Sequence, residues 1–274
     1  MGGGSYNYLK SVSRSSSYKE MSREETFRNR SIDPLMDIKN KPFRESRDGE
    51  DHPDSYPIIL ALDVTGSMGH IPEDLIKGVF PEIMKKIIDS GIPHPQVCFL
   101  GIGDHECDNA PLQVGEFETS HELMEKWLTK TYIESGGGGN SGESYLLAWY
   151  FASRHTSCDA FEKRGKKGTL ITIGDEPTLK SIPVKSVMRI FGETPETEVT
   201  ASQLLEEARK TWDIYHINVT DWSGRMTRTK ESWESYLGEN LVETQSSKGE
   251  DIVDIIPGLV LQSYSGDENI LIGD

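Results

Sequence analysis

Three oxygen-bearing side chains follow an apolar run early in the chain, at alternate positions of the stretch DVTGS. They are Asp63, Thr65 and Ser67. Alternate spacing on a tight turn allows one carboxylate and two hydroxyls to point toward a common position. Hard divalent cations such as Mg²⁺ and Mn²⁺ prefer these oxygens, and no Cys or His accompanies them. The spacing therefore predicts a metal site, although an anion site or a simple N-cap at a helix start stays open.

Two further segments offer polar residues to the same candidate site. Asp175 ends the apolar stretch TLITIGD. A run of glycines over 136–139, which lets the backbone approach closely, precedes a second polar group: Asn140, Ser141, Glu143 and Ser144. Oxygens from three separate strand ends favour a metal site more strongly than DVTGS does alone.

Apolar runs and helical patterns alternate along the chain after residue 50. The segments YPIILALDV, QVCFLGIGD and GTLITIGDE are typical of parallel strands covered on both faces, and PLQVGEFET alternates like a half-exposed edge strand. This alternation predicts an α/β, Rossmann-like doubly wound fold, with a mainly parallel sheet, one short antiparallel edge strand and helices on both faces. Ligands bind such sheets at the carboxyl ends of the strands, where Asp63 and Asp175 lie.

Charge is distributed unevenly over the 274 residues, whose formal net charge is −16. Residues 1–50 are basic and Ser-rich with few apolar residues, so we expect a disordered or extended arm there and a folded domain over 51–274. The acidic body repels phosphate backbones, which argues against nucleic acid as a partner. No run reaches the ~18 apolar residues of a membrane span, which argues against a membrane partner.

Cysteine usage and the first residues both favour a cytoplasmic location. Cys98, Cys107 and Cys158 are too few and too scattered for a disulfide framework or a zinc site. The beginning of the chain lacks the apolar centre of a secretory signal peptide. Within the basic arm, Ser22 and Glu25 have the spacing of a capping box, which predicts a short helix.

Residues 57–265 resemble a von Willebrand factor A (VWA) domain of the prokaryotic or phage type. The metal-ion-dependent adhesion site (MIDAS) of that family opens with D-x-S-x-S, and DVTGS is similar to it with Thr65 in place of the first serine. The resemblance implies that Asp63, Thr65 and Ser67 bind the metal or its water molecules. It also makes Asp175 similar to the aspartate of the later family loop.

The middle position of the motif departs from the family pattern. Many members supply a threonine there, whereas this chain has GGGGNSGES, which is similar to the GGGDGPE stretch of some VWA domains. By this resemblance Asn140 and Ser141 are the candidate ligands. Metal affinity is then expected to be lower than in members with the full set.

The resemblance implies a protein that is not an enzyme. VWA domains of this kind hold Mg²⁺ with an unfilled coordination position, which a carboxylate of a partner completes. We therefore expect a divalent-metal-dependent protein-binding module or assembly adaptor, with Mg²⁺ or Mn²⁺ as cofactor and a protein partner that offers an exposed Asp or Glu. Stand-alone VWA proteins of this type are associated with MoxR-type AAA+ ATPases, so such an ATPase is a candidate partner.

Two other interpretations stay open. DVTGS is also similar to the D-x-T-G-T motif of P-type ATPases, which belong to the haloacid dehalogenase group of phosphotransferases and use the aspartate, here Asp63, as a nucleophile. Against this, a helical pattern starts directly after Gly69 and leaves no room for a flap, and GDEPT lacks the second acidic residue of GDxxND. A purely structural α/β module with a vestigial site is the third interpretation.

Overall fold

Apolar runs of seven or eight residues form the middle of a six-stranded sheet. The computed structural model describes residues 5–66, 68, 70–134, 142–220, 226–244 and 251–266. The strands are β1 Arg44–Ser46, β2 Tyr56–Asp63, β3 Pro95–Ile102, β4 Leu112–Val114, β5 Thr156–Cys158, β6 Gly168–Gly174, β7 Ser181–Ile182, β8 Val199–Thr200, β9 Trp212–Val219 and β10 Leu241–Thr244. The helices are α1 Tyr8–Lys19, α2 Arg23–Thr26, α3 His70–Asp74, α4 Phe80–Asp89, α5 His121–Lys130, α6 Leu146–Arg154, α7 Asp159–Arg164, α8 Val184–Phe191, α9 Ala201–Ala208, α10 Met226–Leu237 and α11 Ile252–Ser265.

The strands of the main sheet lie in the order β10-β9-β6-β2-β3-β4. All neighbours are parallel except β3 and β4, which are antiparallel. The predicted α/β doubly wound sheet with one antiparallel edge strand is therefore confirmed. The chain order reverses between β2 and β6, so the crevice at their carboxyl ends is where such a sheet binds its ligand.

Alternate residues of the central strands pack into two apolar clusters. In β2, Ile59 and Ala61 belong to one cluster with α6, α8 and α9, whereas Ile58 and Leu60 belong to the other with α4 and α11. Successive side chains of a strand point to opposite faces, so both faces of the sheet are covered by helices. In the part of the chain described above, no helix combines the length and the apolar content that a membrane span needs.

The helix expected after Gly69 contains a widened turn. A π-helical turn, Leu75–Val79, joins α3 to α4, and Gly78 within it has a φ of 152°. Residues with a Cβ rarely adopt this backbone angle, so glycine is what permits the wider turn. Apolar spacing alone predicts a single regular helix here, because it reports the buried face and not the local hydrogen bonding.

Residues 5–50 differ from the disordered or extended arm that their composition suggests. They form α1, α2 and β1, and Phe27, Met36 and Ile38 lie buried in the two apolar clusters or against the sheet. The predicted capping box is confirmed, because the Ser22 hydroxyl accepts a hydrogen bond from the Glu25 backbone N–H at the start of α2. A few well-placed apolar side chains anchor the segment, which average composition does not reveal. A domain boundary at residue 51 stays a prediction.

The N-terminal segment also covers the edge of the sheet. The backbone N–H of Val114 in β4 donates to the Met36 carbonyl at 2.9 Å. All three residues of β4 are buried, so the prediction of a half-exposed edge strand is wrong. The segment thus occupies backbone groups of Val114 that an uncovered edge would offer to another chain.

The buried Arg44 side chain fixes this segment against β4. Its guanidinium donates to the carbonyl oxygens of Gly115 at 2.7 Å and Val114 at 3.2 Å. It also donates to the Leu35 carbonyl at 3.3 Å, and the Glu116 carboxylate lies 3.2 Å from its Nε. One side chain thus satisfies carbonyls of both the N-terminal segment and the strand that it covers.

We expect Arg44→Met to lower the free energy of unfolding by about 3 kcal/mol, because it leaves several buried acceptors without a donor. Urea unfolding followed by circular dichroism measures the change. Lys39→Met is the matched control, because Lys39 is exposed on the same segment and its loss should have little effect. Equal stability of the two variants would contradict the anchoring role of Arg44.

Candidate metal centre

Asp63 is the last residue of β2, and its carboxylate is completely buried. Oδ1 accepts hydrogen bonds from the backbone N–H of Thr65 at 2.9 Å and from its hydroxyl at 2.6 Å. The short loop after the strand therefore folds back on its own first carboxylate. Because the Thr65 hydroxyl gives its proton to Asp63, its oxygen lone pairs stay available to another group.

The second carboxylate oxygen of Asp63 is held by a tyrosine from α6. Tyr145 is fully buried and its hydroxyl donates to Oδ2 of Asp63 at 2.7 Å. The tyrosine fits because β6 ends in glycine: a Cβ at Gly174 would lie 1.7 Å from the Tyr145 hydroxyl oxygen. Gly174 thus creates the space that lets α6 reach the end of β2.

Asp175 follows β6 directly and brings a second carboxylate to this crevice. Burial, and to a lesser degree the negative charge of Asp175, raises the pKa of Asp63 to about 7, although the hydrogen bonds from Thr65 and Tyr145 lower it. The Thr65 side chain is therefore in contact with Asp63, and Asp175 is near enough for its charge to act on Asp63. Ser67, Asn140 and Ser141, the other predicted ligands, lie outside the described residues.

Glu143 adds a third carboxylate that faces the same crevice. Burial, followed by the charges of Asp63, Asp108 and Asp104, raises the pKa of Glu143 to about 10. Its Oε2 and the Oδ2 of Asp104 are both buried, and neither has a hydrogen-bond partner among the described residues. Buried carboxylate oxygens without partners are costly unless a proton or a cation compensates them.

A network of backbone contacts fixes the position of Glu143. Its N–H donates to the Pro177 carbonyl and its own carbonyl accepts from the Leu179 N–H, both at 2.9 Å. The next residue, Ser144, accepts a hydrogen bond from the His105 N–H at 2.8 Å. The segment after the glycine run thus connects the loops that follow β3 and β6.

Arg189 of α8 holds the loop after β3 from the outside. It donates to the His105 carbonyl at 2.6 Å and to the Asp108 carbonyl at 3.3 Å. Within the loop, Oδ2 of Asp108 accepts from the Asp104 N–H at 2.7 Å. The acidic side chains of this loop are therefore held in fixed positions.

The donors of this crevice suit a hard cation better than a soft one. The described side chains are carboxylates and a hydroxyl, with orphaned buried oxygens on Asp104 and Glu143. Among the described residues, no three His, Cys, Asp or Glu side chains are close enough together to hold a metal ion by themselves. A cation here would need hydroxyl, backbone or water oxygens as well, which is the ligand set that DVTGS offers.

Sequence reasoning missed Tyr145, and it named Glu143 only among the polar residues after the glycine run and not as a ligand. Tyr145 lies in an apolar stretch at the start of α6, where a tyrosine is ordinarily a packing residue. The available signal was position, because Glu143 and Tyr145 lie within six residues after the glycine run. A strand that ends in glycine, as β6 does at Gly174, is a second signal of a close approach.

Neither a protein-family profile nor a curated protein matches this sequence. Among solved structures, the pilus adhesin SpaC from Lactobacillus rhamnosus GG superposes with a TM-score of 0.51 at 10% identity, over 81% of this chain and 31% of that one. The chain thus spans about a third of SpaC. The sheet order, its antiparallel edge strand and this superposition agree with one another. The chain has the von Willebrand factor A fold.

Two further structures match at lower TM-scores. Proximal thread matrix protein 1 from the mussel byssus, with a zinc-occupied MIDAS motif, has a TM-score of 0.49 at 12% identity, over 78% of this chain and 50% of that one. The vWF domain of the type V pili tip protein Mfa5 from Porphyromonas gingivalis has a TM-score of 0.44 at 9% identity, over 74% of this chain and 95% of that one.

The raised pKa of Asp63 predicts how the stability of the metal-free VWA fold depends on pH. A carboxyl group whose pKa is raised on folding makes its full contribution to the free energy of unfolding below its unfolded pKa of about 4. That stabilising contribution is lost as the pH rises through the folded pKa, which is about 7 for Asp63. We expect the free energy of unfolding to fall by on the order of 2 kcal/mol or more between about pH 5 and about pH 8.

Urea unfolding in the presence of a chelator measures this difference. Asp63→Asn should reduce it, whereas Asp89→Asn, which changes an exposed carboxylate on α4, should leave it unchanged. The same pH dependence in wild type and Asp63→Asn would contradict a buried, proton-binding Asp63.

Proposed function

We propose that this protein is a divalent-metal-dependent protein-binding module or assembly adaptor with a MIDAS-like site. Asp63, Thr65 and Asp175 are the described residues of that site, and Ser67, Asn140 and Ser141 complete it. The observation that carries the proposal is the completely buried Asp63 carboxylate beside a second carboxylate at the point where the strand order reverses. A cation there would offset the cost of burying the Asp63 charge.

The chemistry of the described donors favours Mg²⁺ or Mn²⁺. Thr65 is oriented by its bond to Asp63, so its hydroxyl oxygen is preorganised as a ligand. The predicted motif would add the Ser67 hydroxyl, and water molecules would fill other positions of an octahedral ion. Glu143, whose Oε2 is buried without a partner, is a further candidate to contact the ion or its water.

Such a site selects a carboxylate from the partner. Mg²⁺ keeps exchangeable water, and an exposed Asp or Glu of another protein can replace one water molecule. The cation reverses the sign of the local field, so the acidic surface of this chain does not prevent the contact. An AAA+ ATPase of the MoxR type is the partner that the sequence resemblance suggests.

We also propose a cytoplasmic location. The structure joins none of Cys98, Cys107 and Cys158 to another in a disulfide. Reduced cysteines are typical of proteins in a reducing compartment.

The proposal includes the absence of enzymatic activity. Both carboxylate oxygens of Asp63 accept hydrogen bonds and the residue is inaccessible, which is unfavourable for the nucleophile of a phosphotransferase. Release of phosphate from an aryl phosphate by the wild type, lost in Asp63→Asn, would overturn this part of the proposal.

We expect Mg²⁺ or Mn²⁺ to raise the melting temperature of the protein by about 5 °C or more at saturating metal, because a ligand that binds only the folded state stabilises it. Thr65→Ser keeps the hydroxyl and should keep the shift. Thr65→Val preserves the shape but removes the hydroxyl, so it should reduce or abolish the shift, as should Asp63→Ala. Asp89→Ala is the control for loss of an exposed carboxylate. A full shift in Thr65→Val would exclude the hydroxyl as a ligand.

A partner should bind in the presence of Mg²⁺ and be released by a chelator. A pull-down with wild type, Thr65→Val and Thr65→Ser measures this, and we expect only the valine variant to lose the partner. Substitution of the partner's contacting Asp or Glu by Asn or Gln should have the same effect. Retention of the partner in excess chelator would show that the contact does not depend on the metal.

A further inference from the structure

The N-terminal segment and α5 form a polar groove of about 520 Å³ whose walls contain more basic than acidic side chains. Arg14 and Arg28 from the segment and Lys130 from the end of α5 line it, against one acidic residue, Glu25. Most of the other lining residues carry hydroxyl or amide groups, and Met21 is the apolar side chain among them. A donor-rich basic groove on an acidic protein is suited to an anionic ligand.

In both arginines, Nε makes a hydrogen bond to the protein, and the terminal nitrogens Nη1 and Nη2 stay available to a ligand. Nε of Arg14 donates to the buried Glu125 carboxylate at 2.5 Å, and Nε of Arg28 donates to the Glu25 carbonyl at 2.9 Å. No described residue accepts a hydrogen bond from Nη1 or Nη2 of either arginine. A guanidinium that is fixed on one edge and open on the other presents a planar fork to a carboxylate or phosphate.

We propose that this groove, which we call the arginine groove, binds an acidic peptide segment of a protein partner. The guanidinium groups of Arg14 and Arg28 bind carboxylates of the partner's peptide. The hydroxyl and amide groups of the groove walls bind the backbone of that peptide. Glu25 also lines the groove, and its charge opposes a phosphate dianion more strongly than a singly charged carboxylate. The arginine groove is independent of the proposed metal site, because none of its lining residues belongs to that site.

Lys130 contributes less to the binding than the two arginines. Its ammonium group already pairs with Asp33, a residue of the same N-terminal segment. Asn29 donates to the Lys130 carbonyl at 2.5 Å, so the N-terminal segment and the end of α5 are in direct contact along one wall of the groove. The groove therefore exists only because the N-terminal segment packs on α5.

The test uses the full chain in excess chelator, so that the metal site does not contribute. Fluorescence anisotropy measures binding of a labelled peptide of alternating Glu and Ser, and the matched peptide with Gln in place of Glu is the ligand control. We expect the Glu peptide to bind and its affinity to fall as salt is added.

Arg28→Glu should weaken binding by about tenfold or more, since it replaces one fork by a like charge. Lys39→Glu makes the same charge change at an exposed position outside the groove and should have little effect. Arg14→Lys retains a cation beside the buried Glu125 but loses the open fork, so it should weaken the peptide while the melting temperature stays nearly unchanged.

Three results would overturn the proposal. They are equal weakening in Arg28→Glu and Lys39→Glu, equal binding of the Gln peptide, and tighter binding of a peptide with phosphoserine in place of Glu. The last result would assign the groove to phosphate and not to carboxylates. Loss of metal-induced stabilisation has no bearing on any of them, so the two proposals fail separately.

Discussion

The burial of the Asp63 carboxylate at the end of β2 is the constraint on which the site depends. A carboxylate without access to water must be protonated, hydrogen-bonded or compensated by a cation. Three donors, the backbone N–H and hydroxyl of Thr65 and the Tyr145 hydroxyl, occupy its oxygens, and yet burial still raises its pKa to about 7. Hydrogen bonds alone therefore do not offset the cost of desolvating this charge, and Asp175 adds a second negative charge beside it.

The buried His216, which packs against Tyr145, does not compensate this charge. His216 packs against Tyr145 at 5.2 Å between ring centroids and stacks on Trp233 at 3.6 Å. Burial lowers its pKa well below the ordinary value, so the ring is neutral, and its Nδ1 shares a hydrogen bond with the Thr172 hydroxyl. The aromatic layer beneath the site is thus a rigid support for Tyr145. A proton or a bound cation would offset the charge of Asp63, which this neutral ring does not.

Much of the fold could be predicted because its central strands are short, continuous apolar runs. Such runs are typical of parallel strands that are buried on both faces. The strand ends could then be placed at one edge of the sheet, and Asp63 and Asp175 with them. Tyr145 could not be predicted as a site residue, since its role depends on the absence of a side chain at Gly174, which is close in space but distant in sequence. Sequence patterns report on residues that are close along the chain, whereas Tyr145 and Gly174 are close only in the folded structure.

The folded structure of the N-terminal segment was not predicted, for a different physical reason. Its packing depends on three apolar residues and on Arg44, whose donors bind backbone carbonyls. Every residue has a backbone carbonyl group, so the sequence does not indicate which carbonyls Arg44 binds. Composition averages over the segment report few apolar residues, and such averages cannot show that the few are placed where β4 and α5 need covering.

The net charge of −16 would make carboxylate recognition at the two proposed sites selective. At a distance the acidic surface repels an acidic partner, and attraction is restored only where the local charge is reversed. A bound cation would reverse it at the proposed MIDAS-like site, and the open guanidinium groups would attract carboxylates at the proposed arginine groove. A partner with carboxylates elsewhere would meet repulsion without compensation, so the surrounding acidity would contribute to specificity by penalising wrong contacts. The acidity that adds to the cost of the buried carboxylates would thus also limit which acidic proteins bind.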